Sequence, residues 1–248
     1  MTVATPGVIS TSLKQPPPAR FAGLLYLIVI ACGLLGVGFV QELLIVPGDA
    51  GATGDNIIAS ESLYRLGFAA RLVMYACYIG VTVIFYDLFK PANRSVSLLA
   101  LSFSLVGIAT GAVNALNAAA PWLVLGGADY LDAFTTAQLH ALVFVFLRLD
   151  SLGFSISGVF FGIYMVVIGG LIAGSTFLPR IFGALLVIGG LCYLTDSFVR
   201  FLSPALAAQL SSYITLPGLA SELLLALWLF LAGVNGEKWQ AQASAAEG

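Results

Sequence analysis

Six stretches of this sequence, residues 21–44, 66–89, 96–122, 152–173, 181–202 and 213–234, are almost wholly apolar. Each matches or exceeds the about 20 residues that an α-helix needs to cross the hydrocarbon of a bilayer. Inside lipid a backbone must satisfy its own hydrogen bonds, so such stretches fold as helices. The expected fold class is therefore all-α: a polytopic membrane protein with six transmembrane helices and short extra helices on the outer surface. Composition agrees, since 60% of residues are apolar and only 9% charged, against roughly 25% charged in a soluble domain. A mean hydropathy of +1.01 excludes a water-soluble globule of this size.

The first stretch could be mistaken for a signal peptide, but its apolar run is too long and no small-residue cleavage site follows before Glu42 and Pro47-Gly48. It reads as an uncleaved span. The domain plan is then a disordered cytoplasmic N-terminus over 1–19, with its Pro16-Pro17-Pro18 run, a six-helix domain over 20–235, and a flexible cytoplasmic C-terminus over 236–248. Orientation follows from basic residues beside the spans. With both termini inside, Lys14, Arg20, Lys90, Arg94, Arg180 and Lys238 are cytoplasmic, and Arg65, Arg71, Arg148 and Arg200 lie outside. The expectation is an inner (plasma) membrane protein.

Two outer stretches are longer than a span requires: 55–89 and 135–173 both read as helical. A helix of 39 residues would be about 58 Å long, roughly twice the hydrocarbon thickness. Each is expected to split into a short outer helix and a span, breaking near Gly67 and Gly153, with Asp55 and Thr135 as N-caps. Glycines four apart (Gly107 and Gly111, Gly158 and Gly162, Gly170 and Gly174) suit close helix packing, either inside the bundle or between copies, so an oligomer is possible.

Several function classes fall away early. A net charge of −2 lacks the basic footprint of nucleic-acid binding. Cys32, Cys77 and Cys192 sit apart in apolar runs, and His140 is the single histidine, so no zinc site or disulfide framework is expected. No cofactor motif is present. Ser151, Ser155 and Ser157 lie near Asp150 without a GxSxG turn or a fixed Ser/His pairing, so no catalytic residue is assigned and the chain reads as a non-enzyme.

Ionisable residues inside spans face the bundle or a wet cavity, because lipid penalises them. Counting 1.5 Å per residue from the inner boundary places Glu222 at about 18 Å, Asp196 at about 24 Å and Arg71 at about 28 Å, all in the outer half. Arg200 follows Asp196 by one turn, and Asn114 and Asn117 lie nearby in depth. Arg148, Asp150 and Glu42 come close to the outer surface. One interpretation is structural: Asp196 pairs with Arg200, Glu222 pairs with Arg71, and the charges lock helices together. The other is an outward-facing, ligand-binding polar pocket lined by Arg71, Tyr75, Tyr78, Asn114, Asn117, Asp196, Arg200 and Glu222, with Tyr193 beside them. Glu222 stands out as the deepest acid, with no basic residue within a turn in sequence.

A set of fragments carries a family resemblance. Arg20-Phe-Ala-Gly23-Leu-Leu-Tyr26, Leu44-Ile-Val-Pro47-Gly48-Asp49, Ser60-Glu61-Ser62-Leu63-Tyr64-Arg65-Leu66-Gly67, Lys90-Pro91-Ala-Asn93-Arg94-Ser95, Gly158-Val-Phe160-Phe161-Gly162 and Phe177-Leu178-Pro179-Arg180 occur in this order over residues 20–235. The chain resembles a bacterial family of multi-spanning membrane proteins of unknown function. The resemblance implies membrane location and six helices, and it supplies no reaction and no catalytic residues.

The expected function is the binding of a lipid or small molecule in the outer pocket, with the lipid bilayer itself as the other partner. The alternative is a small proton-coupled transporter, which needs an inner pathway. An intramembrane lipid-modifying enzyme would need two convergent acid/base groups, Asp150 with His140 or Asp196 with Glu222.

Overall fold

Most helix starts among the described residues are marked by prolines, which cannot continue the hydrogen-bond ladder, or by side chains that complete it. In a computed structural model that describes residues 15–246, α1 (Ala19–Gly33) begins directly after the three prolines. It runs through a π-helical turn, Leu34–Phe39, into α2 (Val40–Leu44). The Asp49 side chain accepts from Ala52 N at 2.9 Å and opens α3 (Ala50–Ala59). A break at Ser60 separates it from α4 (Glu61–Phe89). Asn93 caps α5 (Arg94–Val124) by accepting from Val96 N at 3.0 Å. Thr135 and Gln138 form a reciprocal capping box for α6 (Thr136–Gly174). Then follow α7 (Arg180–Leu202), α8 (Pro204–Ile214), α9 (Leu216–Leu231) and α10 (Gly236–Ala245). No strand occurs among the described residues.

Five units are long and apolar enough to cross a membrane: Ala19–Leu44, α4, α5, α6 and α7. A sixth arises only when α9 is joined to α10, and those two meet at a bend of 101°. The packing order closes a ring: α1 against α4, then α5, α6, α7, α9 and back to α1. The first and last described helices meet at one end, where Arg20 packs beside Gly233 and Asn235 N donates to Phe177 O at 3.1 Å. We call this the terminal end. The opposite, loop end carries α3 and the start of α6.

The expectation of two split outer helices holds for one stretch, though not at Gly67, which lies inside α4. The first divides at Ser60, and its cap is Asp49 rather than Asp55. The second is corrected: α6 is one unbroken helix of 39 residues. Its buried residues His140, Val143, Leu147, Asp150, Ser157, Tyr164, Ile168 and Leu171 recur at three-, four- and seven-residue steps along the whole length. A single seam therefore runs from cap to core and gives no reason to bend. Gly153 does not break the helix; it clears space for the Asn114 side chain. The loop-end part of α6 packs on α3, on Tyr64 and on Val124.

Two helix contacts explain glycines. At Gly162 and Gly169 of α6, a Cβ would come 2.9 Å from Gly190 O and 2.6 Å from Gly183 O of α7, so this crossing requires both pairs. Gly107 and Gly111 face Phe160, Phe161 and Tyr75 inside the ring, whereas Gly170 and Gly174 face open space. The stretch from 236, read as a flexible tail, carries α10. Its Trp239 is buried and donates Nε1–H to Leu88 O at 2.9 Å, and Gln242 accepts from Thr176 N at 3.1 Å. The start of the disordered segment expected over 1–19 lies outside the described residues.

Candidate ligand-binding site

Towards the terminal end the ring is filled. Phe85, Leu88, Phe89, Ile168 and Ile172 are all buried, and Tyr26, Phe85, Phe89 and Phe177 pack ring on ring at 5.7–6.0 Å. Towards the loop end it is hollow. A cavity of about 450 Å³, within the range of small-ligand pockets, is walled by the π-helical turn and by α4, α6, α7 and α9. The hollow has a plain cause. At 16 residues, α9 is about 24 Å long, short of the ~30 Å hydrocarbon, so the sixth wall stops before its neighbours do.

Three polar groupings surround this space. At mid-depth, Glu222 Oε1 accepts from Tyr26 OH at 2.7 Å and from Tyr78 OH at 3.4 Å, and Oε2 accepts from Tyr193 OH at 2.9 Å. Gly218, one turn earlier on α9, admits the Tyr193 ring, since a Cβ there would fall 2.5 Å from Tyr193 Cε1. On α7, Arg200 Nε donates to Asp196 Oδ2 at 2.8 Å, while the buried Asp196 Oδ1 has no hydrogen-bond partner among the described residues. Near the loop end, Arg71 Nη1 donates to Asp150 Oδ2 at 2.8 Å, with both side chains 2% exposed. Asn114 Nδ2 donates to Asp150 Oδ1 and O, each at 2.8 Å, and Gln41 Nε2 donates to Oδ2 at 3.2 Å.

The eight residues singled out in the sequence divide accordingly. Tyr75, Tyr78, Asp196, Arg200 and Glu222 line the cavity. Arg71 is buried beside it, with Nε 3.4 Å from Tyr75 OH. Asn114 and Asn117, linked at 3.0 Å, stand behind Asp150 rather than in the wall. Of the two structural pairs considered, Asp196 with Arg200 forms, but Arg71 takes Asp150 as its partner and leaves Glu222 to tyrosines. Glu42 and Arg148 are exposed and apart from the cluster, Arg148 lying over the Phe144 ring. His140 sits under α3, its ring against Gly54 and its Nε2 3.9 Å from Asp55, far from the cavity wall. Asp196 and Glu222 share the cavity; Asp150 lines it too, but His140 does not.

Sequence reading passed over Gln41, Tyr26 and the π-helical turn. Gln41 is a polar residue near the end of an apolar run and could have been found by the same rule that found Glu222. The turn had a signal in Gly33, Gly36 and Gly38, three glycines within six residues. Nothing marks Tyr26 among the other aromatics. No cluster of three or more His, Cys, Asp or Glu able to hold a metal occurs among the described residues.

A family model described as a domain of unknown function (DUF4386) matches residues 21–233. The chain belongs to this DUF4386 family. The matched stretch runs from α1 to the bend before α10, so it contains the whole ring and every cavity residue. The chain is also similar to an uncharacterized protein of Archaeoglobus fulgidus, 27% identical over 157 residues, which cover 62% of this chain and 76% of that protein. No solved structure matches. The DUF4386 chain is thus an apolar helical protein of the membrane, in a family whose activity is unknown.

Proposed function

We propose that this protein binds a lipid or small polar molecule in the loop-end cavity. It would do so as a multi-pass protein of the plasma membrane, with both termini cytoplasmic and the cavity facing outward. The observation that carries the reading is the contrast in filling. A chain with so many apolar residues leaves about 450 Å³ unfilled where charged and hydroxyl side chains converge. Ion pairing alone does not require such a void, because helices in lipid associate by small-residue packing. A carrier would need a second route through the terminal end, where buried Phe85, Leu88, Phe89 and Ile172 fill the middle of the bundle; the hollow of about 400 Å³ at that end is lined by Phe177, Pro179, Trp228 and the exposed Asn235 and Lys238, and shares no lining residue with the loop-end cavity.

The test is native mass spectrometry of the gently solubilised protein beside Gly38→Leu. Gly38 lines the cavity and a Cβ there meets nothing within 4 Å, so the substitution occupies the void without forcing the backbone. The expected result is a stoichiometric bound mass on the wild type that the variant lacks. A clean protein mass on both, or equal retention by both, would overturn the reading.

A further inference from the structure

Charge in the cavity wall is not balanced, and the imbalance selects a ligand class. Asp150 is bonded to Arg71 and Asp196 to Arg200. Glu222 is the remaining acid in the wall, and among the described residues no Lys or Arg is bonded to it. It lies nine residues from the end of α9 at Leu231, about 13.5 Å along the helix and well away from either surface. A carboxylate at that depth calls for a counter-charge.

The surroundings favour a cation for that role. Tyr78, Tyr193 and Phe161 all line the cavity beside Glu222, and Tyr78 packs on Phe161 at 4.9 Å. Aromatic rings around a carboxylate attract a positively charged nitrogen through both the ring quadrupole and the charge. The rest of the lining includes Val29, Ile30, Met74 and Leu219, which suits a hydrocarbon part. Oε2 of Glu222 accepts one hydrogen bond and Oε1 two, so Oε2 has capacity for a further donor.

We propose that the ligand carries a positively charged nitrogen, which seats against Glu222 among the rings of Tyr78, Tyr193 and Phe161, with its hydrocarbon portion along the apolar wall. This rests on the reading of the cavity as a binding site. The nitrogen can belong to a free organic amine or to an amine-bearing lipid headgroup.

The test measures the unfolding midpoint of the detergent-solubilised protein with butylammonium chloride, beside neutral butanol at the same concentrations. Butylammonium is expected to raise the midpoint in a saturable way and butanol to leave it unchanged. Glu222→Gln should weaken the apparent affinity by about tenfold or more, the usual consequence of losing a charged hydrogen-bond partner, while Arg65→Gln, on the exposed Glu61–Arg65 pair, should respond as the wild type does. Should Glu222→Gln fail to fold, Phe161→Leu removes one ring and is expected to weaken the response. Short-chain phosphatidylethanolamine that competes with butylammonium, where short-chain phosphatidylglycerol does not, assigns the nitrogen to a lipid; no competition from either assigns it to a free amine. Equal shifts with butanol, no shift with butylammonium, or an undiminished response in Glu222→Gln and Phe161→Leu would each overturn the inference. A retained ligand without a positively charged nitrogen would overturn it too and leave the cavity reading standing, whereas a protein that retains nothing removes the cavity reading itself.

Discussion

The terminal and loop halves of the bundle are built from the same helices and differ in what fills them. In the terminal half, aromatic and branched side chains meet edge to face, and Trp239 of α10 closes the end by donating to Leu88 O. In the loop half, the same helices present Asp150, Asp196, Arg200 and Glu222, and the shortened α9 leaves the ring without its sixth wall over part of its height. Apolar side chains fill space because dispersion rewards close packing. Charged groups are held instead by a few directional partners, and the space between those partners stays open. Stability and site are thereby separated along one axis.

The sharpest way to break this comparison is Asp150→Ala. It leaves Arg71, 2% exposed, without its counter-charge and strips partners from Gln41 and Asn114, an expected loss of about 3–5 kcal/mol. The check is the unfolding midpoint in detergent, and a loss below about 1 kcal/mol would mean that Arg71 is solvated. Next comes Phe85→Ala in the filled half, where the ring is 1% exposed; about 3 kcal/mol is expected for a vacated aromatic site. Its counterpart in the hollow half, Phe154→Ala, removes a ring that is 40% exposed and lies 5.8 Å from the Arg71 guanidinium, so about 1 kcal/mol is expected. Similar losses for the two phenylalanines would erase the contrast. Trp239→Phe keeps the packing of α10 and deletes its hydrogen bond to Leu88 O, for about 1 kcal/mol. A comparably small effect, about 1 kcal/mol, is expected for Arg200→Gln, whose side chain is a third exposed while that of its partner Asp196 is 12% exposed.

Much of this architecture was legible in the sequence because lipid leaves few options. Run length located the helices, Thr135 marked a real cap, and the cost of charge in lipid pointed to Glu222, Asp196 and Arg71. Partner choice was not legible. Arg71 was matched to Glu222 as one candidate pair because a break was expected at Gly153, which set Asp150 apart from the span. The continuous seam of α6 carries Asp150 instead into direct contact with Arg71. The length of α9 was only partly legible: Pro217-Gly218 reads as a break ahead of Glu222, but hydropathy does not show that Pro217 occupies the first turn of a short helix. The hollow depends on that length, so its size could not be read from the sequence.

The most direct measurement of the contrast is the reaction of single cysteines with a membrane-impermeant maleimide, in protein whose Cys32, Cys77 and Cys192 have been replaced by alanine. Ser155 and Ser197 line the cavity though both are buried within the bundle, while Ala100 and Ala226 are buried in the filled half. Ser155→Cys and Ser197→Cys are predicted to react from one side of the membrane and to be protected by butylammonium, and Ala100→Cys and Ala226→Cys to stay unmodified. Equal reactivity in both halves, or none at Ser155→Cys and Ser197→Cys, would contradict a solvated site in one half of a solid bundle.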